Sequence, residues 1–303
     1  MNVKARREEF EANPARFLET VIKGFVTDGS YNRLPSFNDD AIFDNPLVGF
    51  ADGHDSLFQE YKRIIGNFHF TPREALEKHV QIKGQINKRA TALSVISFVL
   101  PITYETRLSV RRENTVASLR WNHTRHYGQQ LINELSLYLV SLLEGFGYDA
   151  MAPELANYYE FRLWYDDPGS NWSQRHVAYA AGLGTFSLND GLITPKGIAH
   201  RCGSVVTNLA FKPSPRVFKN HLDNCLHYRQ GTCVRCIKRC PVGAISEKGH
   251  DKKKCREFMA YKQKEMIEQM GRKGYYLEKY LICGLCQTKV PCESMIPPSI
   301  KSS

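Results

Sequence analysis

The chain has 303 residues, 42% of them hydrophobic and 24% charged, which excludes a fibrous or disordered protein and leaves room for one large domain or two moderate ones. Lys and Arg number 41 against 31 Asp and Glu, a formal charge of +10 that turns attention to anionic partners. No apolar run approaches the ~20 residues of a membrane-spanning helix, and no apolar stretch follows Arg6-Arg7 as an export signal would require, so the expectation is a cytoplasmic protein with no membrane partner.

In chain order, residues 1–75 carry acidic and aromatic patches punctuated by Gly, Asn and Pro, and no motif assigns them a role. Lys78 to Ile102 alternates or runs apolar and predicts two strands, the second buried over Ala92–Ile102. Gln129 to Phe146 predicts a helix: Leu131, Leu135, Leu139, Leu142 and Phe146 recur at helical spacing, and Gly145 and Gly147 close it. Tyr179 to Thr194 is small and glycine-rich, with Gly182 and Gly184 able to let backbone approach a ligand. G-x-G alone is more often a tight turn, and Ser187 stands where a dinucleotide fingerprint needs its third glycine. Cys202 to Phe211 predicts a strand, and Pro213 and Pro215 mark a boundary after it. The expected organisation is therefore residues 1–75 of unclear role, an α/β domain over 76–212 and a cysteine-rich domain over 213–303.

The charge is concentrated. Residues 212–273 hold 16 basic and 6 acidic side chains, which accounts for the whole +10, and five of the nine cysteines lie there. Bound anionic clusters would offset part of this charge; a nucleic-acid surface or an acidic redox partner is the other use for it.

Eight cysteines crowd into the last 80 residues. A reducing compartment makes disulfides improbable and metal binding the better reading. Cys233-x2-Cys236-x3-Cys240-Pro241 is the latter part of the bacterial ferredoxin run, in which the last cysteine ligates the other cluster. Cys283-x2-Cys286 is a second short pair, with Cys292 beyond it. Gln230 stands where the run needs its first cysteine, and Cys225 lies five residues upstream. The most economical assignment is two 4Fe–4S clusters. The first takes Cys225, Cys233, Cys236 and Cys292, the second Cys240, Cys255, Cys283 and Cys286. Cys202 is left over, with a structural role expected. Zinc ribbons, or a single cluster with spare thiols, are the alternatives at this spacing.

The order of motifs resembles the cobalamin-dependent epoxyqueuosine reductases and the related reductive dehalogenases. The residues that carry the resemblance are Ala181-Gly182-Leu183-Gly184, then Gly203-Ser-Val-Val-Thr207-Asn-Leu209, then the cysteines, with Arg125-His126-Tyr127 opening the leucine-striped helix. The likeness covers roughly Trp121 to Pro297. It implies an α+β protein: a nitroreductase-like α/β sandwich domain followed by a ferredoxin-like double 4Fe–4S domain, with cobalamin as a further cofactor. It implies corrinoid or substrate contacts at Gly182, Leu183, Gly184, Asn189, Gly191 and His176. A low-potential donor such as ferredoxin or flavodoxin would supply electrons, and the substrate would be a tRNA or a small molecule. Epoxyqueuosine reductases carry an aspartate donor ahead of A-G-L-G in a D-x-x-P setting. The nearest acids here, Asp166 and Asp167, directly precede Pro168 and sit outside that pattern. Dehalogenases use a tyrosine backed by a basic residue instead; Tyr127, Tyr165 and Tyr179 are available for that role, Tyr165 lying beside those acids. The expected reaction is a low-potential reduction, either deoxygenation of the epoxyqueuosine type or dehalogenation. The rival is an electron carrier, or a reductive activase for a partner corrinoid protein, without a substrate of its own.

Overall fold

The structure is a computed structural model that describes residues 3–84, 91–162, 168–270 and 283–299. In chain order the elements are α1 (Val3–Ala12), α2 (Pro14–Asp28), β1 (Leu47–Asp52), α3 (Leu57–Ile65), α4 (Pro72–Ile82), β2 (Ser94–Pro101), α5 (Tyr104–Arg111), α6 (Leu119–Gly145) and β3 (Ala150–Met151). They continue with β4 (Phe161–Arg162), β5 (Gly169–Ser170), α7 (Gln174–Ala180), β6 (Thr185–Phe186), β7 (Leu192–Ile193) and β8 (His200–Thr207). The cysteine-rich part adds α8 (Leu226–Gln230), α9 (Arg235–Arg239), β9 (Ile245–Ser246), β10 (Gly249–His250) and α10 (Lys252–Met270).

The centre is a four-stranded sheet in the order β1-β2-β8-β3, antiparallel at every pairing. All eight residues of β2 are buried, because helices cover both faces of the sheet. Ile96, Phe98 and Leu100 point into one core with Phe17, Leu18 and Ile22 of α2 and Leu131, Leu135 and Leu139 of α6. Val95 and Val99 point the other way, against Phe58, Tyr61, Leu76, Trp172 and Val177. This two-sided burial is why the sequence shows a continuous apolar run rather than an alternating one. The protein is thus of mixed α and β structure, layered helix–sheet–helix.

Two expectations change. The first of the two strands expected over Lys78–Ile102 is the end of helix α4. Thr71 and Glu74 form a reciprocal capping box, with Pro72 in the first turn, so the N-terminus of a helix is fixed there. Residues 85–90 lie outside the described set. Secondly, residues 1–75 are built into the layered body. β1 pairs with β2 over six residues, and Phe10, Phe17, Ile22 and Val26 are buried in the main core. The boundary expected after residue 75 falls inside α4, at buried Ala75 and Leu76. The striped helix begins ten residues earlier than the leucine pattern alone predicts, at Leu119, where Ser118 caps it by accepting from the Trp121 N–H at 3.2 Å. Among the described residues no helix is long and apolar enough to cross a membrane.

Candidate functional site

The eight clustered cysteines fall into two sets of four. Cys225, Cys233, Cys236 and Cys292 line one small void of about 20 Å³. Cys240, Cys255, Cys283 and Cys286 form one wall of a larger cavity of about 430 Å³. The one-turn helix α9 separates them: Cys236 lies within it, and Cys240 follows its last residue. Leu188, Ile193, Ile198, Ile245 and Val290 pack as a small apolar core against Cys225, Cys236, Cys240, Cys286 and Cys292. Among the described residues no three His, Cys, Asp or Glu side chains meet closely enough to hold a single metal ion.

Burial and mutual repulsion raise several of these thiols, and Cys286 of the second set also feels Cys236 of the first. Burial, then the neighbouring Cys225 and Cys233, pushes the Cys236 thiol up to about 11. Cys292 is driven upward by burial and then by Cys225, Cys236 and Cys233. In the other set, burial is the main cause that pushes Cys283 up to about 11 and Cys286 well above the usual thiol range. Thiolates gathered this way without a cation destabilise one another, whereas a bound metal reverses that and deprotonates the thiols.

The surroundings are fixed by backbone and amide contacts. The Ala244 N–H donates to Cys240 Sγ at 3.1 Å. Asn189 Nδ2 donates to the Cys286 carbonyl at 2.8 Å, and the Ile198 N–H to the Cys292 carbonyl at 2.8 Å. Asn189 Oδ1 accepts from the Ser187 hydroxyl and the Gly191 N–H, so this loop braces both cysteine sets. His250 Nδ1 lies 3.2 Å from Asp190 Oδ2. Burial lowers the affinity of His250 for a proton, but its hydrogen bonds to Asp190 and Cys255 prevail and push it up to about 9.

The glycine-rich segment turns out to face protein. Gly182 has φ +74°, and a Cβ there would lie 2.6 Å from the Pro215 carbonyl oxygen. A Cβ at Gly184 would lie 2.5 Å from the Ile193 carbonyl oxygen, in the β6–β7 hairpin. Leu183 is buried in the core beneath Gly49. Gly191 packs on Ile198 and borders the 430 Å³ cavity. His176 and Tyr179 instead line a second cavity of about 730 Å³, together with Tyr61, Phe186, Ser170 and Arg175. The two cavities adjoin at Arg175, His250 and Met259. Tyr165, Asp166 and Asp167 lie outside the described residues.

On the other wall of the 430 Å³ cavity stand Arg125, named in the sequence only as part of a helix entry, Cys202, read there as a leftover cysteine, and Glu154, Gln174, His200 and Arg201, to which sequence reasoning gave no role. His200 Nε2 lies 2.8 Å from the Leu192 carbonyl, which can only accept, so Nε2 carries the hydrogen. Nδ1 is then the acceptor for the Cys202 thiol, 3.4 Å away. Burial pushes Cys202 up to about 12 and His200 down to about 4, so both are neutral. The ninth cysteine lines the same cavity as the second set and is paired with His200.

Burial also pulls His176 down to about 3 and His69 to about 4, from an ordinary 6.5. The unfolded chain then binds more protons than the folded one below about pH 6.5. Stability from these groups is complete above that pH and falls as acid is added toward pH 4. Urea unfolding at pH 7 and pH 5 should show a loss on the order of 1–2 kcal/mol per buried histidine. His200→Gln should flatten that slope, and an unchanged slope in the variant would contradict the neutral assignment.

No family model matches the chain. Over 125 residues, 39% of its length, the chain is 32% identical to epoxyqueuosine reductase of Bacillus anthracis, a match that covers 29% of that protein. Epoxyqueuosine reductase of Francisella cf. novicida is 29% identical over 151 residues, 48% of this chain and 38% of that protein. The matched segment thus spans well under half the length of these curated relatives. Among solved structures, epoxyqueuosine reductase from Bacillus subtilis aligns with 96% of this chain and 70% of its own, at a TM-score of 0.46 and 15% identity. Over that segment the chain is similar to epoxyqueuosine reductases.

Proposed function

We propose that this chain is an iron–sulfur reductase acting by a reaction of the epoxyqueuosine type. The observation that carries the reading is the partition of eight cysteines into two sets of four, each around its own void. Each set would hold one 4Fe–4S cluster, with Cys225, Cys233, Cys236 and Cys292 on the first and Cys240, Cys255, Cys283 and Cys286 on the second. Thiols gathered in fours suit a strongly cationic iron core, which would hold them as thiolates. In this reading residues up to about 212 are a nitroreductase-like substrate domain and residues 213–303 a ferredoxin-like electron-entry domain. Electrons come from a low-potential carrier of the ferredoxin or flavodoxin class.

The likeness to epoxyqueuosine reductases supports a modified tRNA as substrate. Removing the oxygen of an epoxide takes two electrons and two protons: both C–O bonds break, a C=C bond forms and water leaves. A corrinoid belongs to the same proposal. The adjoining cavities give it space at Tyr61, His176, Tyr179 and Phe186, and when bound it would supply the low-potential metal centre that meets the substrate. Asp166, Asp167 and Tyr165 are the proton donors the resemblance favours.

The test is anaerobic purification with iron and sulfide analysis, titration with cob(II)alamin followed by electron paramagnetic resonance, and mass spectrometry of epoxyqueuosine-containing tRNA after incubation with a chemical reductant. About eight irons per chain, a base-off cobalt signal and loss of one oxygen from the nucleoside are expected. Eight irons without deoxygenation of the tRNA would overturn the reaction and leave an electron carrier. Absence of iron would overturn the whole reading.

A further inference from the structure

Two buried hydrogen-bond donors stand on the wall of the 430 Å³ cavity with no acceptor. Trp121 and Thr124 lie one turn apart on α6, each 1% exposed, and both line that cavity together with Cys283 and Cys286. The Trp121 Nε1–H and the Thr124 hydroxyl have no hydrogen-bond partner among the described residues. An indole N–H can only donate. Buried donors in folded proteins are nearly always paired, so two orphans on one wall call for an acceptor that belongs in this cavity.

What lies against the indole identifies that acceptor. Gly284, the residue after Cys283, has φ +65°, and a Cβ there would fall 2.5 Å from Trp121 Nε1. The Cys283-x2-Cys286 loop therefore passes directly over the indole, at a glycine that leaves room for it. Cys283 itself packs against the core that contains Trp121 and Leu285. The loop's carbonyls are already engaged: Gly284 accepts from the Gln287 N–H at 3.0 Å, Leu285 from Arg239 at 3.3 Å and Cys286 from Asn189 at 2.8 Å. Sulfur is the acceptor this loop has to spare. A neutral thiol accepts weakly, whereas a thiolate or sulfide on iron carries the negative charge that draws a donor. One such contact already reaches the same cysteine set, from the Ala244 N–H to Cys240 Sγ at 3.1 Å.

We propose that Trp121 and Thr124 donate hydrogen bonds to sulfur of the 4Fe–4S cluster held by Cys240, Cys255, Cys283 and Cys286, and so raise its reduction potential. The proposal deepens the reductase reading above and rests on its second cluster. Reduction adds one electron from the external low-potential carrier, and with it one negative charge spread over iron and sulfur. No proton moves. Donors held against that sulfur stabilise the reduced form more than the oxidised one, which is how hydrogen bonds tune such clusters. The cluster that borders the large cavity thereby becomes the better resting place for an electron, beside the space where a substrate would be reduced.

The test uses the iron-loaded chain and its Trp121→Phe, Thr124→Val and Thr124→Ser variants. Valine keeps the shape of threonine, phenylalanine keeps a ring against Gly284, and iron content verifies that each variant has folded and loaded. Midpoint potentials are read by electron paramagnetic resonance during a potentiometric titration. Repeating the titration in a Cys236→Ser background, which lacks the first cluster, assigns the second. Each lost hydrogen bond should weaken that cluster's hold on its electron about tenfold, a midpoint lower by about 59 mV. Thr124→Ser should restore the parent value, and the first cluster's midpoint should stay where it is. With chains loaded in heavy and in light water, electron–nuclear double resonance should show one exchangeable proton coupling fewer in Trp121→Phe than in the parent. A parent-like midpoint in Trp121→Phe at full iron content, or an equal shift of both clusters, overturns the proposal. Should Trp121→Phe fail to load iron, Thr124→Val decides by the same criteria. A parent chain that binds no iron overturns the iron–sulfur reading itself, and the tuning role falls with it.

Discussion

A Cys236→Ser chain purified without oxygen is expected to carry about four irons where the parent carries about eight. Cys236 and its three companions line a void distinct from the cavity bordered by Cys240, Cys255, Cys283 and Cys286. Loss of one thiolate therefore empties one site and spares the other. Cys283→Ser should halve the iron from the opposite side. The two half-loaded proteins should also differ in spectrum: each, once reduced, lacks the magnetic coupling between neighbouring clusters that the parent shows. Cys202→Ser serves as the contrast, because Cys202 pairs with His200, so its iron content should match the parent. Removal of the first site should cost stability too. Ile193, Ile198, Ile245 and Val290 pack on these cysteines, and an empty void leaves that small core without its filling. Iron content unchanged in Cys236→Ser and Cys283→Ser would sink the two-cluster assignment, and complete loss in both would show that the sites do not load independently.

How much of this the sequence discloses depends on whether the signal is local. The cysteine motifs are legible because the C-x2-C and C-x3-C-P spacings put several thiols on one short loop. β2 is legible because burial on both faces leaves a run of apolar residues. α4 was open to misreading, since Val80-Gln81-Ile82 alternates like a strand, yet Thr71-Pro72-Arg73-Glu74 is a helix-start signal in plain view. The glycines of A-G-L-G were open to a ligand reading because a close approach to a cofactor and a close approach to the Pro215 backbone demand the same missing Cβ. The meeting of Arg125, Glu154, Gln174 and Arg201 on one cavity wall could not have been found, because separate elements bring them together and no spacing in the chain encodes that. The role of residues 1–75 was hidden for a related reason: β1 is recognisable as a strand only once β2 is there to pair with it.

Glu293→Ala should be among the most destabilising single changes in the chain, at about 3–5 kcal/mol, the cost of leaving buried charge uncompensated. The Glu293 side chain is only 3% exposed. Its two oxygens accept from Arg111 Nε at 3.0 and 2.9 Å, the Lys289 N–H donates to it at 2.7 Å, and Arg107 Nε lies 3.3 Å away. Both arginines belong to α5, so this carboxylate ties the loop of Cys283, Cys286 and Cys292 to the helix beside the central sheet. Arg239 reinforces the tie by donating to the Leu285 and Thr288 carbonyls on one side and to the Glu113 and Val110 carbonyls on the other. The partners are not equivalent. Arg111 is partly exposed and can turn to water when its carboxylate is lost, whereas Arg107 is buried, donates to the Ile102 carbonyl and has, among the described residues, Asp44 as its other acid, at 3.9 Å. Arg111→Ala should therefore cost far less than Glu293→Ala, because Arg107 still neutralises the carboxylate that remains. Glu293→Gln should fall between them, since it keeps the shape and one acceptor but not the charge. Urea unfolding of the three variants orders these costs. Iron release into a chelator supplies the functional half, because Cys292 adjoins Glu293 and the first cysteine set should lose metal faster once the loop is untied. A Glu293→Ala chain within 1 kcal/mol of the parent would mean that the cysteine loop is held by its metal and its apolar contacts, and not by this ion pair.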